Sequence, residues 1–189
     1  MNLITKTTEL AMNITLQYIK PDDIVVDATA GNGHDTLTLA NAVGQNGKVF
    51  AFDIQNKALE NTKALLEQHG VLSRVQLIND SHENLEKYLN IEKEIFAIIF
   101  NLGYLPSGDK EITSKQETSI LAVKAALNIV KCGGVICLVL YSGHDEGKRE
   151  KEAILQLLES ISSSTYHVAY TSMINQKNSP PEIVWITKK

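Results

Sequence analysis

The stretch Ile24-Val25-Val26-Asp27-Ala28-Thr29-Ala30-Gly31-Asn32-Gly33-His34-Asp35-Thr36 decides the fold. Three β-branched residues in a row read as a short buried strand. The two glycines then permit a tight strand-to-helix turn, where the backbone can approach a ligand that a Cβ would block. A helix is expected from about Asp35 to Val43. The dinucleotide fingerprint G-x-G-x-x-G is incomplete, because Thr36 stands at its third glycine position. Thr36 disfavours close helix–strand packing over a diphosphate, whereas a cofactor without phosphates needs no such approach.

The same alternation continues on both sides of this turn. Leu10, Ile14 and Tyr18 share one face of a preceding helix that Pro21-Asp22-Asp23 ends. Lys48–Phe52 reads as a second strand, and Asn56 is a candidate cap for a helix with Leu59, Thr62 and Leu66 on one face, closed by Gly70. A third strand is expected over Arg74–Ile78, a helix over Glu83–Leu89, and a fourth, almost wholly apolar strand over Ile95–Phe100, as in the middle of a parallel sheet covered on both faces. A helix over Thr118–Val130 precedes Gly133-Gly134, which are expected to break the chain before a fifth strand, Val135–Tyr141. One more helix is expected over Gly147–Ser160. Tyr166–Ile174 and Ile183–Thr187 then read as two strands with no helix between them, so they must pair antiparallel. Five βα units followed by a hairpin match an α/β fold with the Rossmann-like, seven-stranded class I methyltransferase sheet, mostly parallel with a C-terminal antiparallel hairpin and helices on both faces.

Composition sets wider bounds. The chain of 189 residues is comfortable for one domain, and its 43% apolar and 21% charged content is ordinary for a soluble globular protein. The first twenty residues mix polar side chains among the apolar ones, unlike a signal peptide, and no apolar run could span a bilayer. A cytoplasmic protein with no membrane partner is expected, with Cys132 and Cys137 as reduced thiols and no metal site. The net charge of −4 argues against broad, non-specific nucleic-acid binding but leaves room for a local basic patch, with Lys148, Arg149 and Lys151 as candidates beside the plain reading of a solvated helix face.

Three strand ends each deliver an acid to one edge of the expected sheet. Asp27, before the glycine turn, suits the ammonium of a methionine-like moiety. Asp53, at the end of the second strand, can accept both hydrogen bonds of a ribose diol. Asp80 can meet an adenine amino group, with Ser81 or His82 over the ring edge, or can cap a helix. The candidate cofactor contacts are thus Asp27, Thr29, Gly31, Asn32, Gly33, His34, Asp35 and Thr36 on the first turn. Beyond it lie Asp53, Ile54 and Gln55 after the second strand, Asp80, Ser81 and His82 after the third, and Asn101 and Leu102 at the end of the fourth.

Four spaced motifs carry a resemblance over essentially the whole chain: Asp27-Ala28-Thr29-Ala30-Gly31-Asn32-Gly33-His34-Asp35-Thr36, Asn101-Leu102-Gly103-Tyr104-Leu105-Pro106, Tyr141-Ser142-Gly143-His144, and Asn175 to Pro181. Together they resemble the small methyltransferases of the YtqB or MnmM type, long labelled rRNA methylases. The resemblance implies S-adenosyl-L-methionine as cofactor and methylation of the 5-aminomethyl group of 2-thiouridine at the tRNA wobble position. The implied partner is RNA, at the tRNA anticodon region, bound by a monomer or a homodimer.

For that reaction Asn101 stands where a methyltransferase presents the attacking atom. Many base-methylating enzymes read Asn-Pro-Pro-Tyr here; Asn101-Leu102-Gly103-Tyr104 keeps only the first and last of these, which turns the reading from adenine N6 to another amine. Tyr104 is the expected stacking platform. His34 and His144 are the candidate proton acceptors, although catalysis by positioning alone needs no dedicated base. Lys148 and Arg149, read as opening a helix where acids are normally favoured, suit a phosphate-facing role. Rival readings are a methyltransferase for rRNA or a small molecule and, from another class, a nicotinamide-dependent oxidoreductase or a non-catalytic nucleotide-binding module; Thr36 and the terminal hairpin count against that last class.

Overall fold

A computed structural model describes residues 6–89, 94–103, 115–177 and 179–189. The strands are β1 (Ile24–Asp27), β2 (Lys48–Phe52), β3 (Val75–Ile78), β4 (Ile95–Leu102), β5 (Val130–Leu140), β6 (Tyr166–Thr171) and β7 (Glu182–Lys188). The α-helices are α1 (Thr7–Thr15), α2 (His34–Ala42), α3 (Asn56–Gln68), α4 (Leu85–Tyr88), α5 (Gln116–Ile129) and α6 (Asp145–Ser160). The strands form a single seven-stranded sheet in the order β3-β2-β1-β4-β5-β7-β6. β7 runs antiparallel between β5 and β6, and the other pairings are parallel. This is the class I methyltransferase arrangement expected from five βα units and a closing hairpin.

Strand periodicity sorts the core into two layers. Val26, Phe50, Ile98, Phe100, Ile136 and Leu138 point to the face covered by α4, α5 and α6. Their neighbours Val25, Val49, Ala97, Ile99 and Val139 point to the face covered by α1, α2 and α3. Because both faces are covered, β4 and β5 are almost continuously apolar, and Ile95, Ile98, Phe100 and Leu138 are wholly buried.

The chain winds outward from β1 through β2 to β3, then returns to lay β4 on the other side of β1. The loops after β1 and β4 therefore leave in opposite directions and open a crevice at the carboxyl ends of the strands, where ligands of such sheets bind.

Some expected boundaries move. Gly133-Gly134 does not break the chain before β5; it lies inside that strand as a bulge, with the pairing jumping from Ile95–Val130 to Ala97–Val135. Asn56 is the first residue of α3 rather than its cap, and its side-chain amide donates to Glu60 instead. The helix expected over Glu83–Leu89 is a 3₁₀ turn, His82–Asn84, followed by the single turn α4. Ser81, not Asp80, caps that turn. α6 begins two residues earlier than expected, so acidic Asp145 and Glu146 fill its first turn and the apparent electrostatic anomaly of Lys148 and Arg149 disappears. Lys148 pairs with Asp145 at 3.2 Å on the exposed surface.

Candidate active site

A cavity of about 680 Å³ opens at the carboxyl ends of β1 to β4. The glycine turn forms its floor. Gly33 adopts φ +84°, and a Cβ there would come within 2.9 Å of the Thr62 Cα, so α3 lies directly against the turn. The Thr62 hydroxyl donates to the Gly31 carbonyl at 2.8 Å, while Gly31 N–H donates to Asp53 at 2.8 Å. The second Asp53 oxygen accepts the Gln55 N–H at 2.8 Å. Asp53 is thus fixed in direction at the end of β2, and partial burial raises its pKa above the ordinary carboxylate value. Each of its oxygens keeps a further lone pair, as a ribose diol requires. Asn79 ties the neighbouring loop to this corner by donating to the carbonyls of Asp53 at 2.9 Å and Ile54 at 3.1 Å.

A second network runs beneath the other end of the cavity. Asp27 is fully buried and accepts from the Thr36 hydroxyl at 2.6 Å and the Thr29 N–H at 3.2 Å. Burial, then the nearby charge of Asp35, raises its pKa to about 7. The Thr29 hydroxyl oxygen accepts the Asn101 N–H at 2.7 Å, which locks the end of β4 onto the loop after β1. The Asn101 side-chain nitrogen donates to Asp35 at 2.8 Å. A carboxylate can only accept, so the Asn101 carbonyl oxygen is the atom left to face a ligand.

Of the expected cofactor contacts, Thr29, Gly31, Asn32, His34, Asp35, Asp53, Ile54, Gln55, Asp80, Ser81, His82 and Asn101 line this cavity. Asp27, Gly33, Thr36 and Leu102 do not: each is buried behind the lining and acts by holding it. Asp27 is sealed beneath the lining in this arrangement, and Asp35 is the carboxylate the cavity exposes at that end. His144 also stays off the lining. It caps α6, its Nδ1 accepting the Gly147 N–H at 2.9 Å, which commits that nitrogen to the helix. Tyr104 lies outside the described residues. Thr8, Gly103, Lys115, Thr118 and Tyr141 also line the cavity, and sequence reading had assigned them no contact there. Of these, Gly103 and Tyr141, each in a motif at a strand end, carried a signal.

The remaining wall is aromatic and polar. Asp80 accepts from Asn84 at 2.8 Å and from the Tyr88 hydroxyl at 2.9 Å, and these bonds hold its pKa below the ordinary carboxylate value. His82 stands edge-on to Phe100, with ring centroids 6.1 Å apart. Burial drives its pKa down to about 4, and its buried Nε2 has no hydrogen-bond partner among the described residues. A neutral imidazole and the exposed Ile54, both on the lining, suit a flat heteroaromatic ring.

These features decide what fits. The α2 N-terminus, where a dinucleotide would seat its diphosphate, carries Asp35 in its first turn. With Asp35, Asp53 and Asp80 on the lining and Lys115 the only Lys or Arg among the described lining residues, the cavity repels phosphate and attracts cationic groups. An adenosine bearing a sulfonium and an amino acid meets each requirement.

Residues 49–187 match the model of the rRNA methylase family, described as "Putative rRNA methylase". The chain belongs to this family. It is 38% identical over 184 residues to the chloroplastic tRNA (mnm(5)s(2)U34)-methyltransferase of Arabidopsis thaliana, covering 93% of this chain and 67% of that protein. A Clostridium thermocellum structure of the same description superposes with a TM-score of 0.95 at 43% identity, covering 98% of this chain and 99% of that one. A Streptococcus mutans methyltransferase crystallised with S-adenosylhomocysteine superposes with a TM-score of 0.89 at 36% identity, over 98% and 99% of the two chains. The family member described here is an S-adenosylmethionine-dependent methyltransferase acting on RNA. None of its described helices is long and apolar enough to cross a membrane.

Proposed function

We propose that this enzyme methylates the amine of 5-aminomethyl-2-thiouridine at the wobble position of tRNA. The observation that carries the reading is the Asp35–Asn101 pair at the end of β4. Similarity over 93% of this chain to the Arabidopsis wobble-uridine enzyme supports the substrate.

In this reading Asp53 holds the ribose, His82, Ile54 and Asp80 hold the adenine, and Asp35 faces the ammonium of the methionine moiety. When bound, S-adenosylmethionine supplies an electrophilic methyl group. Asn101 does the orienting. Its nitrogen is committed to Asp35 and its backbone to Thr29, so its carbonyl oxygen accepts an N–H of the substrate amine and turns the nitrogen lone pair inward. An alkylamine is mostly protonated near neutral pH, so a proton must leave before attack. The exposed His34 and solvent at the cavity mouth receive it. The neighbouring Asp35 carboxylate stabilises the cationic character that grows on the amine.

Ribosomal RNA is the second reading, favoured by the family's description. One experiment separates the two. The protein is incubated with S-adenosylmethionine and total tRNA from a strain lacking the gene, and the digested nucleosides are read by mass spectrometry. One added methyl on 5-aminomethyl-2-thiouridine is the expected result. Unmethylated tRNA, from a protein that binds S-adenosylhomocysteine, overturns the proposal in favour of rRNA.

A further inference from the structure

A second cavity of about 450 Å³ adjoins the cofactor cavity and shares Thr8 and Tyr141 with it. Its far wall is the connection between β6 and β7, through Met173, Gln176, Pro180 and Pro181. The chemistry of this wall differs from that of the cofactor cavity. Among the described residues no carboxylate lines it, and its apolar surfaces are a phenol ring, a thioether and two proline rings. Such surfaces favour the face of a planar ring. Burial pushes the Tyr141 pKa up, so its phenol stays neutral. Gln176 offers both a donor and an acceptor, as the edge of a nucleobase requires.

The wall is also held in place. Glu182, directly after Pro181, accepts from Lys151 on α6 at 2.7 Å, from the Tyr170 hydroxyl on β6, and from Ser142 beyond β5 at 3.5 Å. Its side chain is only 12% exposed, so the carboxylate that ties these elements together is largely out of water. Gly103, at the end of β4, brings the backbone so close that a Cβ would fall 2.8 Å from the Tyr141 Cβ. Tyr141 is thereby fixed at the junction of the two cavities, beside the strand end that carries Asn101.

We infer that the second cavity is the acceptor-base subsite: it takes a pyrimidine ring of the RNA between Tyr141 and the Pro180–Pro181 wall, with Gln176 reading its edge. The amine-bearing arm of that ring passes Thr8 and Tyr141 to reach Asn101. This inference rests on the wobble-uridine reading and adds the residues that hold the base. Lys6, also on the lining, pairs with exposed Glu9 across the surface and can turn to the RNA backbone at little cost.

Two variants of the full chain test it. Met173→Trp fills the cavity, and Gln176→Ala removes the edge contact. Both are assayed for S-adenosylhomocysteine affinity by calorimetry, and for kcat and KM on tRNA carrying 5-aminomethyl-2-thiouridine. The expected result is cofactor affinity within about twofold of wild type for both, with kcat/KM for tRNA down about tenfold in Gln176→Ala and about a hundredfold in Met173→Trp. Should Met173→Trp lose cofactor binding through misfolding, Gln176→Ala decides alone. Wild-type kcat/KM in the variants, from an enzyme that does methylate tRNA, overturns the subsite and leaves the wobble-uridine reading standing. A wild-type enzyme inert toward tRNA removes that reading and the subsite with it.

Discussion

Replacing Gly33 by alanine tests whether the cofactor turn is a matter of backbone conformation or of close approach. Two penalties act at this position. Its φ of +84° is one that residues with a Cβ rarely adopt, at about 1–2 kcal/mol. The new methyl would also sit 2.8 Å from the Thr62 Cγ2 and 2.9 Å from both its Cα and Oγ1. Because the Cα belongs to the α3 backbone, no rotamer change relieves the overlap. α3 must move, at about 1–3 kcal/mol for overpacking and about 1 kcal/mol for loss of the Thr62–Gly31 hydrogen bond. The sum is about 3–6 kcal/mol. Gly70 is the control, since it has φ +66° and nothing within 4 Å of its would-be Cβ, so Gly70→Ala carries the conformational cost alone, about 1–2 kcal/mol. Guanidinium denaturation of both variants gives the difference, and calorimetry with S-adenosylhomocysteine should show affinity lost in Gly33→Ala and kept in Gly70→Ala. Equal destabilisation of the two variants would refute the close-approach argument.

Two buried groups give stability opposite slopes with pH. Asp27 rises from an ordinary 3.8 to about 7, so its contribution is fully present below 3.8 and lost as pH rises to 7, on the order of 4 kcal/mol. His82 falls from 6.5 to about 4, so its contribution is present above 6.5 and lost as pH falls to 4, on the order of 3 kcal/mol. In denaturation curves from pH 4 to 7, Asp27→Asn should therefore gain on wild type as pH rises, and His82→Gln should gain as pH falls; parallel curves would sink both assignments. Asp35→Asn deprives the Asn101 amide of its charge-assisted acceptor, and steady-state kinetics should show kcat down about 10- to 100-fold in a folded protein. Burial drives the Cys137 thiol to about 12 while Cys132 is exposed, so a thiol reagent should label Cys132 alone until the protein is denatured.

The fold was largely legible because its signals are local and repeated. β4 announces itself by an apolar run that only a doubly covered strand tolerates, and the terminal hairpin by two strands with too few residues between them for a crossover. The errors fall where local rules compete with tertiary ones. Gly133-Gly134 carries the signature of a chain break, yet pairing with β4 at Val130 before it and at Val135 after it draws the strand through it as a bulge. His144 carries the signature of a catalytic base, yet its position just before Asp145 makes its ring nitrogen the cap of α6.

The site was legible as an edge but not as a set of roles, because roles depend on pairs far apart in the chain. Three acids at three strand ends could be read from periodicity, and the same reading gave all of them to the ligand. The structure divides the acids at β1. Asp27, inside the strand register with Ile99, is sealed behind the turn and holds Thr36 and Thr29. Asp35, one turn into the cavity wall, reaches Asn101 across 66 positions of sequence. An aspartate in the strand and one in the following helix look equivalent in sequence, but only the helical one is carried past the strand end into the crevice. Burial then completes the division physically. The sealed acid approaches neutrality at physiological pH, so the charge that the cleft offers a cationic ligand comes from the exposed acids alone.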